Sequence, residues 1–426
     1  MFLKKNTTNL SIFKNSLSFL KKKKVLVGLA LFFLYTMLTL SAGYVLQRNG
    51  FYGLFLKPAL SKNFGMIDSY FRSFSVEPEK IIIDIKHENY LKLVYKRQEA
   101  LKNKLLQYSE EDWVPAIISY DGKRMRADIR LKGTAEEHWV DEDVWSYKVK
   151  IKGDDTLFGM KRFALNRPST RSFMNEWFWH KLLRYSGLIS LRFDFIGVTI
   201  NGKNLPVYAL EENFEKKLIE NNRLREGPIF RARLVYPFAE YYNQKQQQLP
   251  LEAISVYQIK KYSKNVKFMK LVHLAESRIE AYRQGDLLFS EVFDANKMGK
   301  LIALSDLVQS SHALHATNLR FYYNPVTGLV EPIAYDASIP LSRGAGFYFY
   351  GQGKRFLEHK NEDYDSPSIY GGLDSDGSHE WPMEMFRDKT LFRKYIQSLE
   401  EVSDKSFLDQ FFLNIKEEAE EKEKIL

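Results

Sequence analysis

A carboxylate at the end of an apolar strand is the first feature of this chain that could do chemistry. Asp336 closes the run Glu-Pro-Ile-Ala-Tyr-Asp, and Asn318 precedes the strand expected to pair with it in a hairpin. Asp306 lies on the helix predicted before that hairpin. Carboxylate and amide oxygens are the ligands that suit Mg²⁺ carried by a phosphorylated nucleotide. The alternative is that Asp336 caps a turn, Asn318 begins a strand and Asp306 is solvated, and spacing alone leaves both interpretations open.

Two lysines on one predicted strand are the second such feature. The segment Trp145–Ile151 alternates strictly, so Lys148 and Lys150 share one face of the sheet. Glu176 lies on the helix that follows, and kinases position phosphates with a strand lysine paired to a helix glutamate. The alternative is a pair of solvated lysines, because strand lysines are commonly exposed.

Two further pairs carry weaker signals. Glu211 and Glu212 are adjacent on a predicted strand and point to opposite sides, which disfavours a glycosidase built from that pair alone. His312 and His315 are three apart, but no third ligand stands at a telling spacing, so a zinc site is not expected. The chain has no G-x-S-x-G motif, Walker loop or G-x-G-x-x-G motif.

The elements that must position these residues are mainly strands in the first part of the chain and mainly helices in the later part. The predicted strands cover residues 81–85, 116–120, 124–131, 145–151, 193–200, 205–210, 319–323 and 329–335. The predicted helices cover residues 89–107, 173–185, 253–284, 292–308 and 390–426, with a long loop over 343–382. This order predicts an α+β fold of two lobes, with the seam near Glu211–Phe214.

An uncharged and mostly apolar run over residues 25–46 follows Lys21–Lys24. As a helix it is long enough to cross a hydrocarbon core of roughly 30 Å. The basic tail over residues 1–24 should then stay in the cytoplasm. The run therefore predicts a single-pass signal-anchor in the cytoplasmic (inner) membrane, with the main domain outside it. A cleaved signal peptide is the alternative, because small residues occur at Ser41–Gly43.

Charge and cysteine content exclude several classes of protein. The net charge is +10, but residues 1–24 hold seven lysines and no acid, which leaves +3 (10 − 7) for the rest. Nucleic-acid binding is therefore not expected. The chain has no cysteine, which excludes thiol catalysis, cysteine-ligated zinc and iron–sulfur clusters.

Several segments, taken together and in order, resemble the CotH family of spore-coat-type kinases over about residues 80–415. Each motif is weak alone, and the shared order makes the match specific. The segments are Arg130–Gly133 (RLKG), Trp145–Lys152 (WSYKVKIK), Phe158–Asn166 (FGMKRFALN), Phe193–Gly202 (FDFIGVTING), Tyr208–Asn213 (YALEEN) and Asn318–Asp336.

The resemblance implies an atypical protein-kinase-like fold of two lobes, here preceded by one transmembrane helix. The expected N-lobe covers residues 80–213 and the C-lobe 214–415. A membrane-proximal linker over 47–79 would precede them, and a charged helical end over 416–426 would follow. Members of the family transfer phosphate from ATP, with Mg²⁺, to Ser or Thr of secreted proteins.

The resemblance also implies roles for residues that hold the nucleotide. Lys148 would contact phosphate, with Lys150 beside it on the same strand and Glu176 as the partner of Lys148. The residues expected at the hinge near the nucleotide base are Glu211, Glu212 and Asn213.

For metal and catalysis, the resemblance implies Asp336 as the principal metal ligand and Asn318 as the second. Asp306 would be the catalytic aspartate. The family usually has Asp-x-Asp at the metal strand, whereas Ser338 stands at the second position here. A lost carboxylate weakens a divalent site, so Ser338 favours a catalytically silent alternative.

The sequence therefore predicts a membrane-anchored, extracytoplasmic CotH-like kinase that phosphorylates a hydroxyl of a secreted or cell-surface protein or polymer. The lipid contact would be made through residues 25–46. The alternative is an inactive CotH-like scaffold in envelope, coat or exopolysaccharide assembly. An enzyme acting on glycans is a third hypothesis, which would need neither Lys148 nor a nucleotide.

Overall fold

The computed structural model describes residues 35–37, 76–234, 251–308, 310, 312–314, 318–339, 385–386 and 388–426. The chain divides into two compact units, Met1–Ser75 and Val76–Leu426. Of the first unit, only the helical residues Tyr35–Met37 are described. Everything below concerns the second unit.

A closed barrel of seven strands forms the first half of this unit, in the order β1-β2-β3-β4-β5-β7-β6. The strands are β1 (Lys80–Asp84), β2 (Val114–Tyr120), β3 (Lys123–Leu131), β4 (Tyr147–Ile151), β5 (Arg162–Asn166), β6 (Phe193–Ile200) and β7 (Lys203–Glu212). β1 pairs in parallel with β6 and antiparallel with β2, and this closes the barrel. Closure leaves this barrel without a sheet edge that is open for pairing with another chain.

Strand alternation sorts the side chains of the barrel into two faces. On β4, Tyr147, Val149 and Ile151 point into the barrel core. Lys148 and Lys150 therefore lie on the outer face. The helix α1 (His87–Asn103) follows β1 and adds Leu93 to the same core. The outer face of β4 is thus free to present charged groups.

A second, four-stranded antiparallel sheet has the order β11-β10-β8-β9. Its strands are β8 (Ile229–Leu234), β9 (Leu251–Val256), β10 (Arg320–Tyr323) and β11 (Val330–Ile333). A small apolar core, which includes Phe214 and Tyr322, packs between this sheet and its neighbours. The sheet places the segment after β11, with Asp336, at one end.

Helices pack around the second sheet and against the outer face of the barrel. They are α2 (Met174–Tyr185), α3 (Lys216–Asn221), α4 (Ile259–Tyr262), α5 (Val266–Arg283), α6 (Phe289–Val292), α7 (Ala295–Leu307), α8 (Lys389–Ser403) and α9 (Lys405–Ile425). One large apolar core joins Trp177 of α2, Phe195 of β6, Leu301 of α7 and Tyr395 of α8. This core fixes α2 relative to the barrel.

Local capping explains where several helices begin. The Asp294 side chain accepts a hydrogen bond from the Lys297 N–H, 3.0 Å away, at the start of α7. The Asp404 side chain accepts one from the Ser406 N–H, 2.7 Å away. Asp404 therefore ends α8 and begins α9, where the sequence predicted one continuous helix over 390–426.

Replacing Gly299 with alanine is expected to lower the free energy of unfolding by about 1–3 kcal/mol, as for other overpacked sites. A Cβ at Gly299 would lie 2.7 Å from the Tyr395 nitrogen and 2.8 Å from the Lys394 carbonyl carbon, and backbone atoms cannot move aside easily. Urea denaturation measures the effect. Gly197→Ala is the control, because its nearest contact is 3.4 Å away on the flexible Lys80 side chain. Equal stability of the two variants would contradict close approach of α7 and α8.

The predicted fold class is corrected by the barrel. The described residues do mix helices and strands, but the expected two-lobed α+β arrangement did not include a closed seven-stranded barrel. The parallel pairing of β1 with β6 joins residues more than a hundred positions apart, such as Ile81 and Val198. Local periodicity carries no information about such a pairing.

The predicted transmembrane helix over residues 25–46 is also corrected. Among the helices of the described part, none combines the length and the apolar character needed to cross a bilayer. Of that range, Tyr35–Met37 are described and the rest lies outside the described residues. The predicted single-pass topology and location in the cytoplasmic membrane conflict with the same finding, which covers the described residues.

Three strands were missed by the sequence analysis. β5 and β8 were not predicted, and β9 occupies the start of a helix predicted over 253–284. β9 contains the helix formers Leu251, Glu252 and Ala253, but its backbone pairs with β8. Tertiary pairing overrides such local preferences. The long loop predicted over 343–382 lies outside the described residues.

Candidate active site

Glu211 is the centre of a group of buried polar side chains on the outer face of the barrel. Its Oε2 accepts hydrogen bonds from Arg171 Nε at 2.6 Å and Asn166 Nδ2 at 3.0 Å. Its Oε1 accepts one from Lys132 Nζ at 3.2 Å. Arg171 Nη1 also donates to Asp336 Oδ1 at 3.1 Å. We call Lys132, Asn166, Arg171, Glu211 and Asp336 the Glu211 cluster.

Burial and neighbouring charge act in opposite directions on Glu211. Burial raises its pKa, but Arg171 and Lys132 outweigh this and hold the pKa well below its usual value. Burial, together with the charge of Arg171, lowers the pKa of Lys132 to about 8. Glu211 therefore stays ionised at neutral pH and holds its two cations in place.

Lys148 lies beside this cluster. On the neighbouring strand it is directly opposite Arg130, so two cations face each other across β3 and β4. Burial, together with the charges of Lys132 and Arg130, lowers the pKa of Lys148 to about 7. Glu211 opposes this shift, but its described ion pairs are with Lys132 and Arg171. Like charges placed opposite each other are destabilising unless an anion joins them.

Lys150 has different surroundings from Lys148. Its Nζ lies 3.9 Å from Asp128 Oδ2 and 5.6 Å from the centre of the Trp113 ring. Both lysines were predicted to contact the nucleotide. The structure places Lys148 beside the Glu211 cluster and Lys150 near Asp128 and Trp113.

Glu176 holds the backbone that carries Asp336. Its Oε1 accepts a hydrogen bond from the Asp336 N–H at 2.6 Å, and its Oε2 accepts one from the Ala337 N–H at 2.9 Å. Burial raises the pKa of Glu176, but His180 and Arg171 outweigh it and the pKa is lowered. Glu176 thus fixes the backbone at Asp336 and Ala337, and its described hydrogen bonds to that backbone replace the predicted pairing with Lys148.

Asp336 has an unusual backbone that this clamp supports. Its φ is +58°, and that of Ser338 is +48°, so both residues are in the left-handed region. Non-glycine residues adopt that region rarely, although aspartate does so more readily than most. The Ser310 hydroxyl donates a hydrogen bond to the Ala337 carbonyl and adds a third support. The segment is therefore held in one conformation by α2 and by the segment after α7.

His312 connects Asn318 with Asp336. Its Nδ1 lies 2.6 Å from the Asp336 carbonyl oxygen and 4.0 Å from Asp336 Oδ1. Asn318 Nδ2 donates to the His312 carbonyl oxygen at 3.0 Å and lies 3.1 Å from His312 Nδ1. Asp336 and Asn318, the predicted metal ligands, therefore both contact His312. His315 lies outside the described residues.

Asp306 occupies a different environment. It is 1% exposed on α7, and its Oδ2 accepts a hydrogen bond from the Tyr395 hydroxyl of α8 at 2.5 Å. This contact favours a role in packing α7 against α8. The catalytic role implied for Asp306 by the family resemblance stays a prediction.

The three residues predicted at the hinge face different directions. Glu211 faces the cluster, whereas Glu212 accepts a hydrogen bond from Arg192 Nε at 3.0 Å on the other side of β7. The Asn213 N–H donates to the Arg162 carbonyl at 3.1 Å, and its side chain accepts from the Phe214 N–H at 3.0 Å. Only Glu211 of the three therefore belongs to the charged group.

The donor set suits a metal ion that arrives with phosphates. Across the described ranges, no group of three or more His, Asp or Glu side chains is arranged to hold a metal. Mg²⁺, however, commonly binds through one or two carboxylates plus substrate phosphates and water. Asp336, 23% exposed in its side chain, and Asn318 fit that mode.

Sequence reasoning missed Arg171 and Asn166. Asn166 ends a strand that was not predicted, and Arg171 lies in a short 3₁₀ turn, Pro168–Arg171, between that strand and α2. Neither position shows a periodic pattern. The available signal was the segment Phe158–Asn166, which ends at Asn166 and forms part of the family resemblance.

Comparisons with known proteins agree on one family. A family model described as CotH kinase protein matches residues 129–423. The chain is also similar to inner spore coat protein H of Bacillus subtilis (strain 168), with 30% identity over 128 residues. That match covers 29% of this chain and 33% of the relative, so the aligned part spans about a third of the relative's length. The matched family range contains every residue of the Glu211 cluster.

Proposed function

The chain belongs to the CotH kinase protein family, and from that premise we propose that it is an ATP- and Mg²⁺-dependent kinase acting on a hydroxyl of a protein or polymer substrate. The observation that carries the proposal is the excess of cations around Lys148. Arg130, Lys132 and Lys148 crowd one face of the barrel, and Glu211, whose charge raises the pKa of Lys148, is shared by Lys132 and Arg171.

A nucleotide phosphate chain would supply the anion that this face lacks. Lys148 is partly buried, and its lowered pKa shows that its surroundings disfavour the charge when no anion is bound. Phosphate oxygens placed there would reverse that preference. Lysine is well suited to bind phosphate as a point charge.

Several neighbouring residues would position the nucleotide phosphates and the metal ion. Lys148 and Lys132 would contact phosphate, and Arg171 would hold Glu211 and Asp336 in register through its two ion pairs. Glu176 would fix the backbone under Asp336. Mg²⁺, held by Asp336 and Asn318, would neutralise charge on the phosphates.

Phosphoryl transfer needs little covalent chemistry from a protein. The substrate hydroxyl oxygen would form a bond to the γ-phosphorus as the bond to the β–γ bridging oxygen breaks; ADP would leave, and the hydroxyl proton would pass to water. Positioning and charge neutralisation account for most of the catalysis in such transfers. The preorganised ion pairs of the Glu211 cluster fit that requirement.

A catalytically silent coat or envelope protein is the second candidate. Ser338 removes the second carboxylate usual in the family, and Arg171 already occupies one oxygen of Asp336. The similarity to an inner spore coat protein also favours this function. Such a protein could keep the cluster for stability alone.

Mg²⁺-ATP is expected to bind the purified chain saturably, and Asp336→Asn is expected to weaken binding at least tenfold. Asparagine keeps the shape and can still accept the hydrogen bond of Arg171, but it lacks the charge that a divalent ion needs. Isothermal titration calorimetry measures the affinity.

Asp409→Asn is the matched control, because Asp409 is exposed on α9. Absence of binding at millimolar nucleotide in folded protein would contradict the kinase proposal and favour the silent protein. Binding without transfer of ³²P to any added hydroxyl substrate would leave a nucleotide-binding scaffold.

A further inference from the structure

One face of the second sheet has an apolar half and a charged half. Residues directly opposite each other on neighbouring strands share a face, and the register pairs Arg231 of β8 with Arg320 of β10 and with Ser255 of β9. Two positions along the same strands, Ile229 and Tyr322 lie on that face and belong to the small apolar core. The apolar half is therefore fixed by packing, and the other half carries two arginines side by side.

Arg320 connects the charged half of this face with the Glu211 cluster. It is 6% exposed, and it donates from Nε to the Tyr257 hydroxyl at 2.7 Å and from Nη2 to the Tyr335 hydroxyl at 3.1 Å. Burial lowers the pKa of Arg320, but the neighbouring Tyr335, Tyr257 and Asp336 outweigh this and raise it. Because Asp336 lies near enough to act on Arg320, the face that bears both arginines is turned towards the Glu211 cluster.

Arg231 approaches the same region from β8. Burial and the charges of Lys132 and Arg130 lower the pKa of Lys148, and the charge of Arg231 acts in the same direction. Lys148 lies on the outer face of β4, whereas Arg231 lies on the second sheet. The barrel and the second sheet are therefore the two walls of one cleft, and each wall presents a cation to it.

The guanidinium of Arg231 is exposed and held in place. Its Nε donates to Ser255 Oγ at 2.9 Å, and its Cζ lies 5.5 Å from the centre of the Tyr257 ring. Within the described part of the chain, no acid forms an ion pair with it. Its two Nη groups thus remain for a ligand, and a guanidinium fork fixed in this way is preorganised to bind phosphate oxygens.

The cations of the cleft are distributed over both walls. Arg130, Lys132 and Lys148 belong to the barrel wall, and Arg231 belongs to the sheet wall. Arg231 and Arg320 are directly opposite each other, and like charges in that arrangement are destabilising. A single carboxylate would neutralise one of these cations. A chain of phosphates carries several charges and can contact both walls at once.

We propose that the cleft binds a chain of phosphates between its two walls, with Lys148 as the contact on the barrel and Arg231 as the contact on the second sheet. The Nη groups of Arg231 donate to the oxygens of one phosphate, and Lys148 Nζ donates to another. For ATP this assignment rests on the proposed kinase function and adds to it a residue outside the barrel. For a phosphate chain without a nucleoside it stands by itself.

Inorganic tripolyphosphate, without Mg²⁺, is the probe for the phosphate chain. Orthophosphate and citrate are the comparisons, because orthophosphate is too short to contact both walls and citrate carries several charges on carboxylates. Isothermal titration calorimetry on the full chain at pH 7 measures the affinities. We expect tripolyphosphate to bind saturably and at least tenfold more tightly than either comparison. No binding of tripolyphosphate, or tighter binding of citrate, would overturn the proposal.

Substitutions of Arg231 identify the contact on the second sheet. Arg231→Met is expected to weaken tripolyphosphate binding at least fivefold, and Arg231→Lys to recover only part of the loss, because an ammonium lacks the guanidinium fork. Arg283→Met is the matched control, since Arg283 is exposed at the end of α5 and its loss removes the same charge. Thermal unfolding checks that each variant is folded. Equal losses in Arg231→Met and Arg283→Met would indicate an effect of net charge and contradict the assignment.

The same variants separate this proposal from the kinase proposal. Mg²⁺-ATP binding that is unchanged in Arg231→Met would leave the kinase proposal intact and overturn this one. Tripolyphosphate binding that is lost in Arg231→Met, in a chain that does not bind Mg²⁺-ATP, would support this proposal and contradict the kinase.

Discussion

Arg171→Met is expected to lower the free energy of unfolding by about 3–5 kcal/mol at pH 7, the range found when one partner of a buried ion pair is removed. Arg171 is 6% exposed in its side chain and bonds both Glu211, also 6% exposed, and Asp336. Methionine fills similar space but leaves the Glu211 carboxylate buried with Lys132 as its remaining cation. Urea denaturation at pH 7 measures the loss.

The pH dependence of this loss follows from Glu211. Its pKa is lowered in the folded protein, so its stabilising contribution is present above the unfolded value of 4.5 and is lost as pH falls through the lower folded value. Without Arg171, burial raises the folded pKa, and protonation then relieves the buried charge. The difference between wild type and Arg171→Met should therefore narrow as pH falls from 7 to 4.

Two further variants test the cause. Arg124→Met on the exposed part of β3 is the control and should change stability little. Adding Glu211→Gln to Arg171→Met should recover part of the lost stability, because the uncompensated charge is then gone. A loss below 1 kcal/mol, or a loss that does not vary with pH, would contradict the buried ion-pair arrangement.

Lys148→Met is expected to weaken Mg²⁺-ATP binding at least tenfold without lowering the stability of the nucleotide-free protein. The charge of Lys148 is disfavoured by burial and by Lys132 and Arg130, so its removal relieves repulsion in the free state. In the bound state the same charge would contact phosphate. Calorimetric titration gives the affinity, and urea denaturation gives the stability.

Proton uptake provides an independent readout for Lys148. Its folded pKa of about 7 makes it mostly neutral at pH 8 before binding. A bound phosphate would favour the charged form, so binding should take up protons at pH 8 and the affinity should fall as pH rises above 7. Titrations in buffers of different ionisation enthalpy measure the uptake, which should be reduced in Lys148→Met.

Lys150→Met is the matched control for this experiment. Lys150 lies on the same strand and the same face, but near Asp128 and Trp113 instead of the Glu211 cluster. Its loss should change nucleotide affinity less than threefold. Equal losses in the two variants would indicate a diffuse electrostatic effect and would contradict a specific phosphate contact by Lys148.

The candidate site shows which features local sequence patterns can predict. The alternation around Lys148 and the placement of Glu176 on a helix were visible in the sequence, and so was the strand that precedes Asp336. The partners of these residues were not visible. Glu176 was expected beside Lys148, but the tertiary structure turns it towards the backbone of Asp336, 160 positions away.

The sequence by itself determined the features that depend on neighbouring residues. Alternation assigned the faces of β4, and Asp121-Gly122 and Asn201-Gly202 marked two hairpin turns whose residues all have positive φ. The ordered motifs also determined the family, which the matching family model confirms. These features are local because strand pleat and turn geometry are set within a few residues.

Only the tertiary structure decided which distant groups meet. Closure of the barrel joins β1 to β6, and Arg171 bonds Glu211 and Asp336, which are 40 and 165 positions away. No periodicity encodes such contacts, because they depend on how whole elements pack. Burial of several charges at one place then forces them to pair, since an unpaired buried charge is strongly unfavourable. The fold therefore decided the chemistry that this group of residues can perform.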